Sequence, residues 1–271
     1  KTREQRILHL QPQRRAQEEV RAYIKSGGKG KVTVNFKAGT YRLKETLSYD
    51  KKDSAKGVKT FYRASNSNET VVFTGAISVS GWEKLIRRLY VAGLNQTAVS
   101  SFRQLYVNGD RMPRARTPDS PASFRPLFEK NIDGEWTAPG IQFIPNPILN
   151  PTIPDPFIWV NQKEIEAIIV IQWKMAICRI DSISPYIAPL AGLISMQEPA
   201  WSNANIFRDK KTGKPSIWSF WQVTRFENAI EFLDEDGEWY FDENSKNFFI
   251  SRLGDWIYFL HQLNFHKSRH S

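Results

Sequence analysis

A mostly β protein is predicted, on three observations. Short runs alternating apolar and polar residues recur through the first eighty positions, separated by turn residues. A longer run over residues 163–173 alternates and then becomes continuously apolar, the pattern of a strand covered on both faces toward its end. The third is Asp234-Glu-Asp-Gly237, flanked by apolar runs at 230–233 and 239–241. Asp-Gly supplies the positive φ angles of a tight reversal, so residues 226–242 read as a β-hairpin.

In chain order, residues 12–26 read as a helix with Ala16, Val20, Tyr23 and Ile24 on one stripe, ended by Gly27-Gly28-Lys29-Gly30. Residues 31–36 alternate as a strand, and 38–43 turn into the next. Further strand-like runs follow at 46–49, 60–64, 71–74 and 76–79. Their irregular spacing fits a coil that visits successive sheets in turn, and a sandwich gives similar spacing. From about Leu85 to Ile250 the periodicity changes. Residues 118–156 hold nine of the fifteen prolines and read as an extended, loop-rich excursion. The organisation expected is therefore residues 1–84, residues 85–255, and an atypical tail over 256–271. That tail carries His261, His266 and His270, but neither a cysteine nor a carboxylate pair stands beside them, so no zinc site is assigned.

Several ordered stretches resemble a known family. They are Arg103-Gln-Leu-Tyr-Val-Asn-Gly-Asp-Arg-Met-Pro-Arg-Ala-Arg116, then residues 227–242 with Gly-Glu-Trp-Tyr-Phe-Asp at their end, then 248–255; residues 32–47 and 71–82 add to them. Together they resemble the amino-terminal part of the large right-handed parallel β-helix glycosidases, the group around glycoside hydrolase family 141. Ser251 stands where the family has proline, and Asp255 where it has glutamate. The resemblance implies the start of a right-handed parallel β-helix of the pectin lyase-like type, with an amino-terminal capping helix and an inserted β-rich subdomain. Such a cap covers core and strand edges that a solenoid end leaves open. It further implies a carbohydrate-active enzyme acting on plant-type polysaccharide, extracellular or periplasmic in its full-length form. In that family the catalytic aspartates lie on later coils, so this chain is expected to be an amino-terminal fragment, inactive alone. The alternative is a noncatalytic module that binds polysaccharide or mediates adhesion.

Composition sets further bounds. The chain has 271 residues, 41% hydrophobic and 24% charged, with a formal net charge of +10. Lys and Arg are spread among acids and turn residues rather than gathered with aromatics on one face, so no nucleic-acid partner is expected. A basic surface does suit an acidic polysaccharide. Nine Trp and seventeen Phe exceed what a small core needs; flat rings stack on sugars, and they are also common in strands. Cys178 is the only cysteine, so no intrachain disulfide forms. The longest apolar run, 167–171, is too short to span a membrane. No signal peptide is read at the start of the chain, so an exported protein is expected to have had its leader lost or removed.

Glycoside hydrolysis generally needs two carboxyl groups flanking the scissile bond. Glu164, Glu166, Glu227, Glu231, Asp234, Glu238 and Asp242 are all available, and nothing singles out a pair. Glu164 and Glu166 fall on one face of a predicted strand and read as its solvent side. Catalytic residues therefore remain unassigned. The acids at 234–238 lack the regular oxygen spacing of a calcium loop, so no metal is expected. Motifs for a nucleophile, a phosphate or a dinucleotide are missing, so no cofactor is expected either. Substrate-binding candidates are Arg111, Arg114 and Arg116, which from one groove could hold sugar hydroxyls or a uronate carboxylate. The competing reading pairs them with acids. Trp239, with Trp136 and Tyr240, is read first as core and second as a stacking surface for a saccharide.

Overall fold

The computed structural model describes residues 12–86, 88–94, 99–119, 121, 123–145, 153–171, 173–187, 191–217 and 223–251. The histidine-bearing tail lies outside the described residues. The chain divides into two compact units, Lys1–Ser78 and Val79–Ser271.

The first unit opens with α1 (Pro12–Lys25), which buries Gln13, Gln17 and Val20 at helical spacing. Gly27, at φ 82°, ends it, and the Gly28 amide donates back to the Tyr23 carbonyl. Four strands follow: β1 (Gly30–Phe36), β2 (Gly39–Arg42), β3 (Val58–Ala64) and β4 (Val71–Thr74). β1 pairs with β3 and β2 with β4, both parallel. The chain thus makes two passes, each laying one strand on each of two sheets. Each sheet has two strands, which is not a solenoid. Phe36 forms the centre, with the rings of Phe73 and Tyr41 at 4.9 and 5.6 Å.

Two expected strands in this unit do not form. Along 46–49, Gln17 Nε2 takes the Ser48 carbonyl at 2.8 Å, and Asp50 and Asp53 then cap a 3-10 turn, Lys51–Asp53. Over 76–79, the Ala76 amide donates to Thr74 Oγ1 and its carbonyl accepts from Arg42. Side chains there hold the backbone groups that a ladder would have used.

The second unit runs through β5 (Glu83–Ile86), β6 (Leu89–Gly93), β7 (Leu105–Val107), β8 (Asp110–Met112), β9 (Phe124–Lys130) and β10 (Trp136–Phe143). It continues with β11 (Glu166–Ile171), β12 (Lys174–Ile187), β13 (Ala191–Met196), α2 (Ala200–Asn205), β14 (Ile206–Arg208) and β15 (Pro215–Ile217). It closes with β16 (Arg225–Glu227), β17 (Trp239–Asp242) and β18 (Asn247–Ser251). A six-stranded sheet has the order β16-β11-β12-β13-β10-β9 and a four-stranded sheet the order β17-β18-β6-β5, both antiparallel throughout. β7–β8 and β14–β15 are separate hairpins. One core, with Phe124, Phe143, Phe226, Trp159 and Trp201, lies against the larger sheet. Another gathers Tyr90, Leu105, Trp239, Phe241, Phe248 and Ile250.

Three expectations are corrected here. The proline-rich stretch holds two full strands rather than only loops. Pro126 lies on the edge strand β9, and Pro139 at a break in register between Thr137 and Gly140, places where a missing amide costs no ladder bond. The apolar run at 163–173 is a 3-10 turn, Gln162–Glu164, followed by β11; burial on both faces covers 164–169, and Val170 and Trp173 are exposed. Glu164 and Glu166 are consequently buried, not on a solvent side. Finally, the hairpin falls one element later than expected. Ile230–Phe232 is a 3-10 turn whose Phe232 enters the core, and β17 pairs with β18 instead, Trp239 opposite Ile250. Glu238 receives the amides of Asp234 and Glu235, which fixes 234–238 as a self-contained turn.

Candidate functional site

A groove of about 690 Å³ opens in the second unit. Its lining comes from the turn around Gln162–Glu164, from Arg179 and Asp181 on β12, and from Glu243, Asn244 and Lys246 in the β17–β18 turn. Asp155 and Asn161 position the first of these segments. The Asp155 carboxylate accepts from the Phe157 amide, capping Pro156–Ile158. Asn161 then adopts φ 49°, a left-handed conformation that asparagine tolerates.

Glu164 is held in the wall of this groove. Its Oε1 accepts from Asn244 Nδ2 at 2.8 Å, and its Oε2 from the Glu243 amide at 3.0 Å and the Tyr240 hydroxyl at 3.2 Å. Asn161 Nδ2 donates to the same hydroxyl at 2.8 Å. Burial pushes the Glu164 carboxyl above the usual carboxylate range; the Glu243 amide opposes the rise and the charge of Asp242 adds to it. Arg179 grips Glu243 with two hydrogen bonds, at 2.5 and 3.0 Å, and that bond raises its own affinity for protons.

Behind the groove lies a buried charge cluster. Glu166 accepts from Arg103 at 2.7 and 2.8 Å and from Arg114 at 2.6 Å. Glu227, paired with Arg225 at 2.7 Å, stands 3.9 Å from Arg114. Burial lowers the Arg114 pKa and the charge of Glu166 opposes the drop, so the two must remain together.

The structure separates the residues singled out from sequence. Arg114 is enclosed in the cluster, whereas Arg111 on β8 and Arg116, which bridges to Glu227 through the backbone, are exposed. The three do not share one surface. Trp239 is fully buried, its Nε1 donating to the Met112 carbonyl and its ring 5.7 Å from the Arg114 guanidinium carbon. It offers no face to a ligand. Tyr240 is also enclosed, and works through its hydroxyl on Glu164; Trp136 is half-buried beneath Lys130. Among the carboxyls, Glu231 accepts from the Val160 amide, and Asp242 from the amides of Asn244 and Ser245. Arg103, Arg179, Asn161, Asn244 and Lys246 escaped the sequence reading. One signal was available: Asp-Glu-Asn-Ser-Lys at 242–246 is a turn composition directly after a strand. Among the described residues no three His, Cys, Asp or Glu side chains gather as a metal site. What the groove's lining does offer is the side-chain amides of Asn161, Gln162, Gln197 and Asn244, together with paired charges.

Comparison with known proteins comes at this point. Residues 88–252 match the family described as GH141 insertion domain. A solved structure named "Glycoside hydrolase" superposes with a TM-score of 0.62 at 25% identity, over 88% of this chain and 39% of its own. The chain therefore spans well under half of that neighbour. No curated protein matches it.

Proposed function

Because the chain belongs to the GH141 insertion domain family, we propose that it is the saccharide-binding part of a carbohydrate-active glycoside hydrolase, met outside the cell where polysaccharide is found. The observation that carries this is a groove walled by amides and paired charges, next to buried carboxylates that are each already committed. Glu166 and Glu227 are neutralised by arginines, Glu164 accepts three hydrogen bonds, and Glu238 closes its own turn. Hydrolysis asks for two carboxyls free to face a sugar. Binding asks only for donors and acceptors set around a cleft. The donors and acceptors of this lining support the binding reading. The two parallel pairs of the first unit support reading it as the first turns of a right-handed parallel β-helix, the helix α1 being its cap.

The test is one preparation in two assays, on xylan and pectic fractions. Titration calorimetry should show saturable binding that weakens several-fold in Asn244→Ala, a loss of about 1 kcal/mol for one hydrogen bond. Release of reducing ends should stay at background. Turnover abolished by Glu164→Gln would replace the binding reading with a catalytic one; failure of a folded sample to bind any fraction would remove both. A stand-alone adhesion module is the second reading, favoured by the same groove, and differs in binding intact polymer without preferring chain ends.

A further inference from the structure

The lining of the groove is balanced in charge, three cations against three acids. Arg179 is bonded to Glu243, Lys163 lies 3.3 Å from Asp181, and the Lys246 ammonium sits over the Phe241 ring, 6.0 Å from its centre. Discrimination therefore falls to the neutral groups, of which the side-chain amides are the chief. Asn161 and Gln162 are spent at both ends. Asn161 donates to the Tyr240 hydroxyl and accepts from Asn244, while Gln162 donates to the Trp159 carbonyl and accepts from the Ile183 amide. Gln197 and Asn244 are spent at one end only. Gln197 Nε2 donates to the carbonyls of Ile180 at 2.8 Å and Lys163 at 3.2 Å, and Asn244 Nδ2 to Glu164 Oε1 at 2.8 Å and Asn161 Oδ1 at 3.2 Å. Each nitrogen thus uses both of its hydrogens on acceptors, which assigns the other end of each amide as oxygen. No described residue donates to Gln197 Oε1 or Asn244 Oδ1, and neither oxygen is sealed from solvent.

We propose that the saccharide of this groove is neutral and is selected by two of its hydroxyls, one donating to Gln197 Oε1 and the other to Asn244 Oδ1. This rests on the reading of the groove as a saccharide site and names the class of sugar it takes. A hydroxyl brings a donor without a charge, which is what two unspent acceptors in a balanced lining require. A uronate carboxylate at either point brings acceptors only, so two acceptors would meet and lose water with no bond in return. Gln197 directly follows β13 and Asn244 lies in the β17–β18 turn, so the spacing between the two hydroxyls is set by the packing of two sheets and not by one loop. The net charge of +10 acts on the approach of a polyanion to the surface and does not decide the fit inside the groove.

The experiment titrates the full chain and two variants, Gln197→Leu and Asn244→Ala, with xylotriose, cellotriose and their deoxyfluoro analogues, in which fluorine replaces one hydroxyl at a time and removes that donor with little change of shape. Trigalacturonic acid and its methyl ester complete the series. In wild type, replacement at two positions should each weaken binding about fivefold, the value of one hydrogen bond, and replacement elsewhere should do less. One of the two penalties should vanish in Gln197→Leu and the other in Asn244→Ala. A variant that merely loosened the wall would weaken all analogues alike and leave both penalties in place, so penalties unchanged in both variants overturn the assignment. A wild-type series with no sensitive position overturns it too, and does so without any variant having to fold. Trigalacturonic acid should bind no more tightly than its ester; a clear preference for the acid removes the neutral class and leaves the saccharide site standing. If a folded wild type binds no sugar of the series, the groove reading itself falls.

Discussion

Glu238 is only 3% exposed, and burial raises its carboxyl to about 7, with the charges of Asp234 and Glu235 adding to the rise and their amides opposing it. Its proton is therefore held more tightly folded than unfolded. The stability this contributes is complete below the unfolded value of about 4.3 and is lost as pH climbs toward 7, by up to about 3 kcal/mol. The melting temperature is predicted to drop between pH 5 and pH 8 in wild type and to stay nearly flat in Glu238→Gln; parallel curves would exclude Glu238 as the source. Arg114 poses the opposite case. Arg114→Met removes one of the arginines that neutralise buried Glu166, and unfolding in urea should show a loss of about 3 kcal/mol. Adding Glu166→Gln should recover part of it, since no bare charge then remains. At this scale the sequence offered the right residue types and little of their arrangement. Arg114 and Glu166 are 52 positions apart, and neither local pattern nor spacing shows that they meet.

Elements were more legible where the local signal and the tertiary demand agreed. Helix α1, and strands β1 and β4, stand where alternation and glycine punctuation put them, because their amides have no rival partner. Where a side chain reached the backbone first, the strand was lost, as at Ser48 and Ala76. Prolines concealed β9 and β10 for a related reason: their cost depends on whether a ladder bond falls at that residue, which only the sheet order reveals. That order also makes Gly140 irreplaceable. A Cβ there would drive into the Ile194 carbonyl oxygen and crowd Ser195 Cα at 3.2 Å, backbone atoms that cannot turn aside. Gly140→Ala is predicted to cost about 3 kcal/mol in denaturant unfolding. Gly75→Ala, with open space around it and an ordinary backbone, should stay within about 0.5 kcal/mol.

Over the whole molecule, buried apolar residues are unevenly shared. Among the described residues only Val20 and Phe36 belong to the first unit, and the rest lie in the second. Amide exchange followed by mass spectrometry should therefore find β3 and β4 opening with much lower free energy than β11, β12 and β13. Uniform protection across both units would contradict this. The group of strands hardest to foresee was β17-β18-β6-β5, because β6 and β18 neighbour one another with more than 150 residues between them. Hydrophobic alternation locates each strand and says nothing about its partner. Yet that pairing has an engineering consequence. Leu89–Gly93 departs and Asn247–Ser251 returns side by side, joined again by the Leu94 amide on the Lys246 carbonyl at 2.9 Å. The chain between them leaves and re-enters through two neighbouring strands only about 5 Å apart, and its β17 stays in the same sheet beside β18. With the two ends so close, additions to the intervening chain made away from β17 need no respacing of β6 and β18, much as with a loop.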